Sequence, residues 1–340
     1  MNMRENRLGT VREGRLLAEF AIPSTAGLLV IAGYYAIDMA LIGRFCGTTE
    51  LAGVTVGSTL INLTSSVSSL ITAGASTKIS LNLGGGKFDE ARRFLGNLIS
   101  LSVITGLIIS GIAMIFLRQL LEYYGAGAES IKPAYKYTSI KIIASFLVDI
   151  YFALINVLKA VGRPGKNMVI TISVVVFNAV LEILFVAVFD FGVKGAAFAT
   201  VIAEIAGVIW LLYEFNRSDQ EIRIKLNMLK LNARVCGQTF YQGIPAFLLN
   251  LSQSVTFFII NQTLKKFGGD NAITAFWVCA KATYPMWMVC FGISEGMLPI
   301  IGYNFGAGLL NRVKRTLFFW HNVRYRRFGI FFRSIRTFPG

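Results

Sequence analysis

The sequence predicts an all-α integral membrane protein of about eight transmembrane helices, arranged as two parallel six-helix repeats of which only the first is complete. Three observations carry that expectation. The 340 residues are 54% hydrophobic and only 15% charged, with a mean hydropathy of +0.60, against roughly 45–50% apolar and about 25% charged in soluble domains. The apolar residues come in blocks of roughly 20 or more, the length that crosses a ~30 Å hydrocarbon core. Basic residues alternate between one side of those blocks and the other.

The first block, 17–43, follows Arg4, Arg7, Arg12 and Arg15. Its apolar stretch is too long for a signal-peptide core and no A-x-A-like site follows, so it reads as an uncleaved helix with Tyr34 and Asp38 inside it. Block 51–77 carries Gly53 and Gly57, a G-x-x-x-G spacing that permits close helix packing. Block 94–117 carries no ionisable residue. Block 134–158 holds Lys141 and Asp149, eight residues apart on what a straight helix makes one face, where they form either part of a relay or pairs with other helices. Blocks 167–189 and 193–215 contain Asn178 with Glu182 and Thr200 with Glu204. In the last two, 238–264 and 271–299, the polar members are Gln253, Lys281 and Glu295. Glu295 sits near the cytoplasmic end, within reach of headgroups or Arg315. Trp277, Tyr284, Met286, Trp287 and Met288 offer an apolar wall for a ligand, or ordinary packing.

The net charge of +15 is distributed as a membrane protein distributes it. The N-terminus and alternate loops carry 19 Lys plus Arg and the opposite loops 7, so the positive-inside bias places the N-terminus in the cytoplasm and the chain in the cytoplasmic membrane. No basic stripe is left to bind nucleic acid. The cysteines (Cys46, Cys236, Cys279, Cys290) form no C-x-x-C, and His321 is the single histidine. A resident metal site, His-based catalysis and a soluble enzymatic domain are therefore not expected, and no cofactor is called for. "GGGKFDEA" and "GRPGKN" lack the phosphate-binding G-x-x-x-x-G-K-[ST] pattern and read as cytoplasmic turns.

An offset of 222 residues superposes Pro23 on Pro245, Phe45 on Phe267, Gly47 on Gly269, Gly74 on Gly296, Asn82 on Asn304, Gly84 on Gly306 and Arg93 on Arg315. Six blocks lie within one period, so both copies enter the membrane from the same side, which is transporter architecture. The expected organisation is a cytoplasmic N-terminus (1–15), a six-helix first lobe (16–216), a basic inter-lobe loop (217–236), a partial second lobe of two helices (237–317) and an Arg-rich tail (318–340). Where the repeat calls for a ninth span, the tail carries five arginines in "HNVRYRRFGIFFRSIRTFPG", each costly inside a bilayer. It is read as a chain that has left its reading frame near residue 318, the alternative being a basic amphipathic segment lying on the membrane.

The motifs "AIPSTAGLL…AIDMALIG", "LNLGGGKFDEARR", "LKAVGRPGKNM", "FNAVLEILFVAVFDFGVKGAAFAT" and "GMLPIIGYNFGAG", in that order and spacing, resemble the MATE (multidrug and toxic compound extrusion) transporters over residues 15 to about 317. The resemblance implies twelve helices in two lobes and export of organic cations driven by inward sodium or protons. It also implies a first-lobe cation site on an Asp, an Asn–Asp pair and a Thr, where this chain has Asp38, Asn178, Glu182 and Thr200. Glu182 departs from the family's Asp by one methylene.

The residues point to the same layer by depth alone. At about 1.5 Å per residue, Asp38 lies roughly 9 Å below Arg44, Glu182 about 12 Å below Asp190 and Thr200 about 9 Å below Lys194. One turn deeper, on the same faces, come Tyr34, Asn178 and Glu204. Two carboxylates, an amide and a hydroxyl suit a hard cation, and without it a close acid pair carries a proton. The alternative is helix-to-helix hydrogen bonding, worth about 1 kcal/mol each in membranes. The second lobe lacks a counterpart: Asp38 maps onto Ile260, and the acid that the family often has on its seventh helix is here Gln253. The expected function is a cation-coupled (H⁺ or Na⁺) antiporter exporting small organic cations through the lipid bilayer, with Asp38, Glu182, Asn178, Thr200 and Tyr34 as coupling residues. Glu204, Asp149, Lys141, Gln253 and Lys281 are cavity or relay candidates. The alternatives are a lipid-linked saccharide flippase of a related superfamily, which expects a basic cavity, and a truncated transporter that moves nothing.

Overall fold

A computed structural model describes residues 7–217, 222–224 and 226–319, and among these it is helical with no strand. The elements are α1 (Arg7–Thr10), α2 (Glu13–Phe45), α3 (Thr48–Gly84), α4 (Phe88–Ile115), α5 (Leu117–Tyr123), α6 (Ile131–Ile143), α7 (Ser145–Ala160), α8 (Pro164–Glu182), α9 (Gly192–Asn216) and α10 (Ala233–Gly306), with further helix over 310–319. Most of the expected tail, and His321 with it, lies outside the described residues.

Among the described residues six stretches are long and apolar enough to cross a membrane: α2, α3, α4, Pro164–Val188, α9 and Met286–Gly306. The bent pair α6–α7 makes a seventh. Their outer faces are apolar too; on α4, Ile104, Leu107, Ile108, Ile112 and Ile115 are all exposed along one stripe. A helix apolar on every side belongs in lipid. The inner core joins α3 (Ile71, Ala75, Ile79), α4 (Phe94, Leu98), α7 (Leu154, Val157), α8 (Ile170, Val174) and α9 (Ala203, Leu211, Phe215). Gly53 and Gly57 bring α3 against α6, where a Cβ at Gly57 would fall 2.1 Å from the Thr138 hydroxyl oxygen.

Two spans differ from the straight helices expected. The 134–158 block breaks at Ala144 into α6 and α7, which meet at 54°. Lys141 and Asp149 therefore do not share a helix face, and the reading of them as neighbours on one face is corrected. The 167–189 block ends in a π-helical segment, Ile183–Val188, directly after Glu182.

The last two predicted blocks fall in α10, 74 residues long. Straight, it would run about 111 Å. Near its start a Cβ at Gly243 would lie 1.9 Å from the Leu70 carbonyl oxygen, and at its end one at Gly306 would lie 2.0 Å from that of Leu81. Leu70 and Leu81 are only about 17 Å apart along α3, so α10 doubles back into two limbs. Helical backbone continues where a loop was expected, through "KKFGGDN", a stretch with no proline to interrupt it.

Both limbs meet the other helices through glycines. Gly74 sits on the Thr239 carbonyl, Gly84 on that of Tyr303, Gly292 on Thr25, Gly296 on Ala21 and Gly302 on Ser80. Around the end of α10, Leu8, Leu16, Leu17 and Phe20 bury Met297 and Ile300. The Asn304 amide donates to the Leu8 carbonyl at 2.9 Å, Arg312 donates to the Asn304 amide oxygen at 3.0 Å and to the Val11 carbonyl, and Glu13 pairs with Arg312 at 3.7 Å. These contacts lie at the end of the bundle that carries the basic loops.

Candidate functional site

Within the first six spans, α2, α6, α8 and α9 converge on a buried polar cluster. Asp38 is 4% exposed, Glu182 0% and Asn178 4%. The Tyr34 hydroxyl donates to Glu182 Oε2 at 3.3 Å, and the Asp38 and Glu182 carboxyls lie within hydrogen-bonding reach of each other. Two carboxylates make such a contact only with a proton or another cation between them. Glu182 Oε1 and Asn178 Oδ1 are buried without a donor, so the cluster presents unpartnered oxygens to a positive charge.

Thr200 donates its hydroxyl to the Ala196 carbonyl at 3.0 Å and also reaches Tyr34. Of the five residues singled out by depth, Tyr34, Asp38, Glu182 and Thr200 are thus brought together, with Asn178 buried one turn before Glu182 on α8. The π-helical turn after Glu182 adds a residue to that turn of the helix. Such segments recur at functional sites.

The candidates in the next layer separate. Lys141 forms an ion pair with Glu204 at 3.5 Å, joining α6 to α9, with side chains 10% and 12% exposed. Asp149 is buried on α7 with the Ser68 hydroxyl as partner. Gln253 is exposed on α10, apart from the cluster; Lys281 belongs to α10, its side chain outside the described residues. Glu295, expected at headgroups or Arg315, instead pairs with Lys159 at 2.8 Å, because the second limb of α10 lies against the C-terminal end of α7. Sequence reading missed Tyr137, a buried α6 residue close to Asp38 and bonded to Ser58. Its position one helical turn before Lys141 was the available signal.

Of the proposed apolar wall, Tyr284 stacks on Trp287 (6.1 Å between centroids, 14°) and Trp287 on Phe291 (5.0 Å, 11°). These rings are exposed, and Tyr284 approaches Tyr35 of α2. Met288 is buried, and the Trp277 side chain lies outside the described residues.

Removing only the hydroxyl, in Tyr34→Phe, leaves Glu182 Oε2 without its donor. We expect cation-dependent activity to fall roughly tenfold to 150-fold, the value of one hydrogen bond to a charged group. A dose-response in the coupling cation checks it, and an unchanged half-saturating concentration would show Tyr34 to be packing alone.

The MatE family model matches residues 23–184 and 245–320. The multidrug export protein MepA of Staphylococcus aureus is 24% identical over 291 residues, 86% of this chain and 64% of MepA. MepA of Staphylococcus haemolyticus is 25% identical over 304 residues, 89% of this chain and 67% of that protein. The chain thus spans about two thirds of the length of the curated relatives it matches. The fold superposes on the outward-facing conformation of a multidrug resistance MATE family transporter of the MOP superfamily with a TM-score of 0.88, at 20% identity, over 96% of this chain and 72% of that one.

Proposed function

The chain belongs to the MatE family, and from that premise we propose that it is the cation-coupled part of an antiporter exporting small organic cations. In this reading H⁺ or Na⁺ arrives from outside, settles between Asp38 and Glu182 with Asn178, Thr200 and Tyr34 around it, and is exchanged for cargo. The buried acid pair carries the proposal: with the unpartnered Glu182 Oε1 and the neighbouring Asn178 Oδ1 it can accept a positive charge. The stacked rings of Tyr284, Trp287 and Phe291, opposite Tyr35, suit a flat aromatic cation, which binds to ring faces as well as to charge.

The loop-charge alternation supports a cytoplasmic N-terminus and a multi-pass placement in the cytoplasmic membrane. The two-repeat architecture has its own support. Gly84 lies on Tyr303 and Gly306 on Leu81, Gly243 lies on Leu70 and Gly292 on Thr25, and Gly302 meets Ser80. Under the 222-residue offset the first contact maps onto the second, the third nearly onto the fourth, and the fifth onto itself. That is the contact pattern of a two-fold axis running between α3 and the second limb of α10. Among the described residues these close glycine contacts lie in the half of the bundle nearer the basic loops, which supports a cleft between the lobes that opens outward. No cofactor and no nucleic acid enter the cycle.

The test is transport in vesicles containing the purified protein, with a fluorescent aromatic cation in one arm and a labelled lipid-linked saccharide in the other. We expect an imposed inward H⁺ or Na⁺ gradient to drive dye out at several times the rate without a gradient, and to leave the lipid distribution unchanged. Lipid movement without dye movement would replace this reading with that of a flippase.

A further inference from the structure

The polar cluster contains a cation of its own. Lys141 reaches into the first lobe from α6, and its ammonium lies 3.5 Å from Glu204 Oε1, longer than the roughly 2.7–2.9 Å of a docked ammonium–carboxylate bond. Glu204 Oε2 is buried and has no donor. Lys141 also lies close enough to Asp38 to interact with it electrostatically. The ammonium is thus held between two acids on different helices, fully committed to neither, on a stem of four flexible carbons. Its two acids are Asp38 on α2 and Glu204 on α9, and the ionisable groups that face those acids are Tyr34 and Tyr35 on α2, Tyr137 on α6, Asp149 and Tyr151 on α7 and Glu182 on α8. Two of the carboxyls, those of Asp38 and Glu204, share this cation, and Glu182 is linked to it through Asp38.

We propose that Lys141 is a tethered counter-cation of the coupling site, neutralising Glu204 while Asp38 and Glu182 hold the transported cation and turning to Asp38 when they release it. The inference rests on the reading of Asp38 and Glu182 as that site. It supplies what the site otherwise lacks. A buried acid pair that attracts a cation strongly also releases it slowly, and an unpaired buried carboxylate is costly. A lysine exchanging between two acids keeps the interior near neutral in both states, and competes with the transported ion at the moment of release.

Occupancy of the pair can be read in purified protein in detergent micelles. The probe is the infrared band of a protonated carboxyl, which grows as protons are added and fades as sodium is added at fixed pH. In Glu204→Gln, Lys141 has only Asp38 to pair with, so half-occupancy is expected to need about tenfold more cation than wild type. Adding Lys141→Gln to that variant removes the competitor and is expected to return the requirement to the wild-type value or below. Glu204→Asp keeps the charge but withdraws it by one methylene, and should shift occupancy in the same direction as Glu204→Gln by a smaller factor; it carries the test where Glu204→Gln does not fold. Equal half-occupancy in wild type, single and double variants would make Lys141–Glu204 a fixed structural pair and overturn the proposal. In Asp38→Asn the cation response should vanish. If it survives there, the coupling-site reading itself fails, an outcome distinct from the failure of Lys141 alone.

Discussion

Asp38→Asn is expected to abolish cation-driven export while leaving the protein in the membrane at its normal level. The substitution keeps the shape and buries an amide, which Glu182 and Tyr34 can still hydrogen-bond. What disappears is the second negative charge. A single carboxylate offers a cation about half the attraction of the pair, and removing one partner of a buried charged contact costs about 3–5 kcal/mol. At tenfold per 1.4 kcal/mol that is a loss of roughly a hundredfold or more in cation affinity, enough to empty the site at working gradients. Dye efflux from vesicles under an imposed H⁺ or Na⁺ gradient is the measurement, with dye binding to the same protein as control. Binding should persist, because the Tyr284–Trp287–Phe291 column is remote in sequence and lies on α10. Glu182→Asp separates charge from reach: both acids remain, but the second carboxyl retreats by one methylene. A partial loss, smaller than that of Asp38→Asn, is expected there. Full gradient-driven efflux in Asp38→Asn would remove the acid pair from the mechanism.

Much of this site was legible in the sequence because bilayer thickness converts residue number into depth. Asp38, Glu182 and Thr200 count to the same level from charged residues at the membrane edge, and that arithmetic holds wherever helices are straight. It fails where they are not. The break at Ala144 redirects α7, so Lys141 and Asp149 look inward from different axes and find different partners, Glu204 and Ser68. No proline or glycine marks the break, and the stretch around it is as apolar as its neighbours. The π-helical turn after Glu182 was equally silent, since "ILFVAV" propagates an α-helix just as well by composition. Depth also says nothing about rotation. Glu295 counts to the cytoplasmic end, but only packing of the second limb of α10 decides that it meets Lys159 and not lipid headgroups. The order of the apolar helices follows from hydrophobicity, which is additive along the chain. Ion-pair partners depend on which faces meet, and those are fixed between helices far apart in sequence.

The glycine seam carries the other large expectation. A Cβ at position 84 would fall 1.9 Å from the Tyr303 carbonyl oxygen and 2.7 Å from its carbon. Carbon–oxygen contacts do not close that far, and the obstacle is main chain, so no rotamer change relieves it. Gly84→Val must therefore push α3 and the second limb of α10 apart by more than about 1 Å. Overpacking of this kind costs about 1–3 kcal/mol where the neighbours can adjust, and these neighbours are a helix backbone. In the proposed cycle the seam closes the cytoplasmic end, so the substitution taxes the outward-open state alone and shifts the population toward states with the seam apart, by roughly fivefold to 150-fold for that energy. A crosslink reads the seam directly. Ser80 Cβ lies 2.8 Å from where a Cβ on Gly302 would stand, and a disulfide needs about 3.5–4.5 Å between Cβ atoms. Ser80→Cys with Gly302→Cys, in a background with the four native cysteines replaced, is therefore expected to crosslink readily and to arrest export until reduced. Adding Gly84→Val should slow the crosslink severalfold or more, and Gly306→Val should do the same, since its Cβ meets the Leu81 carbonyl oxygen at 2.0 Å. Undiminished crosslinking in both valine variants would mean that the two helices separate elsewhere along their length, and that the closed end of the cleft is not this seam.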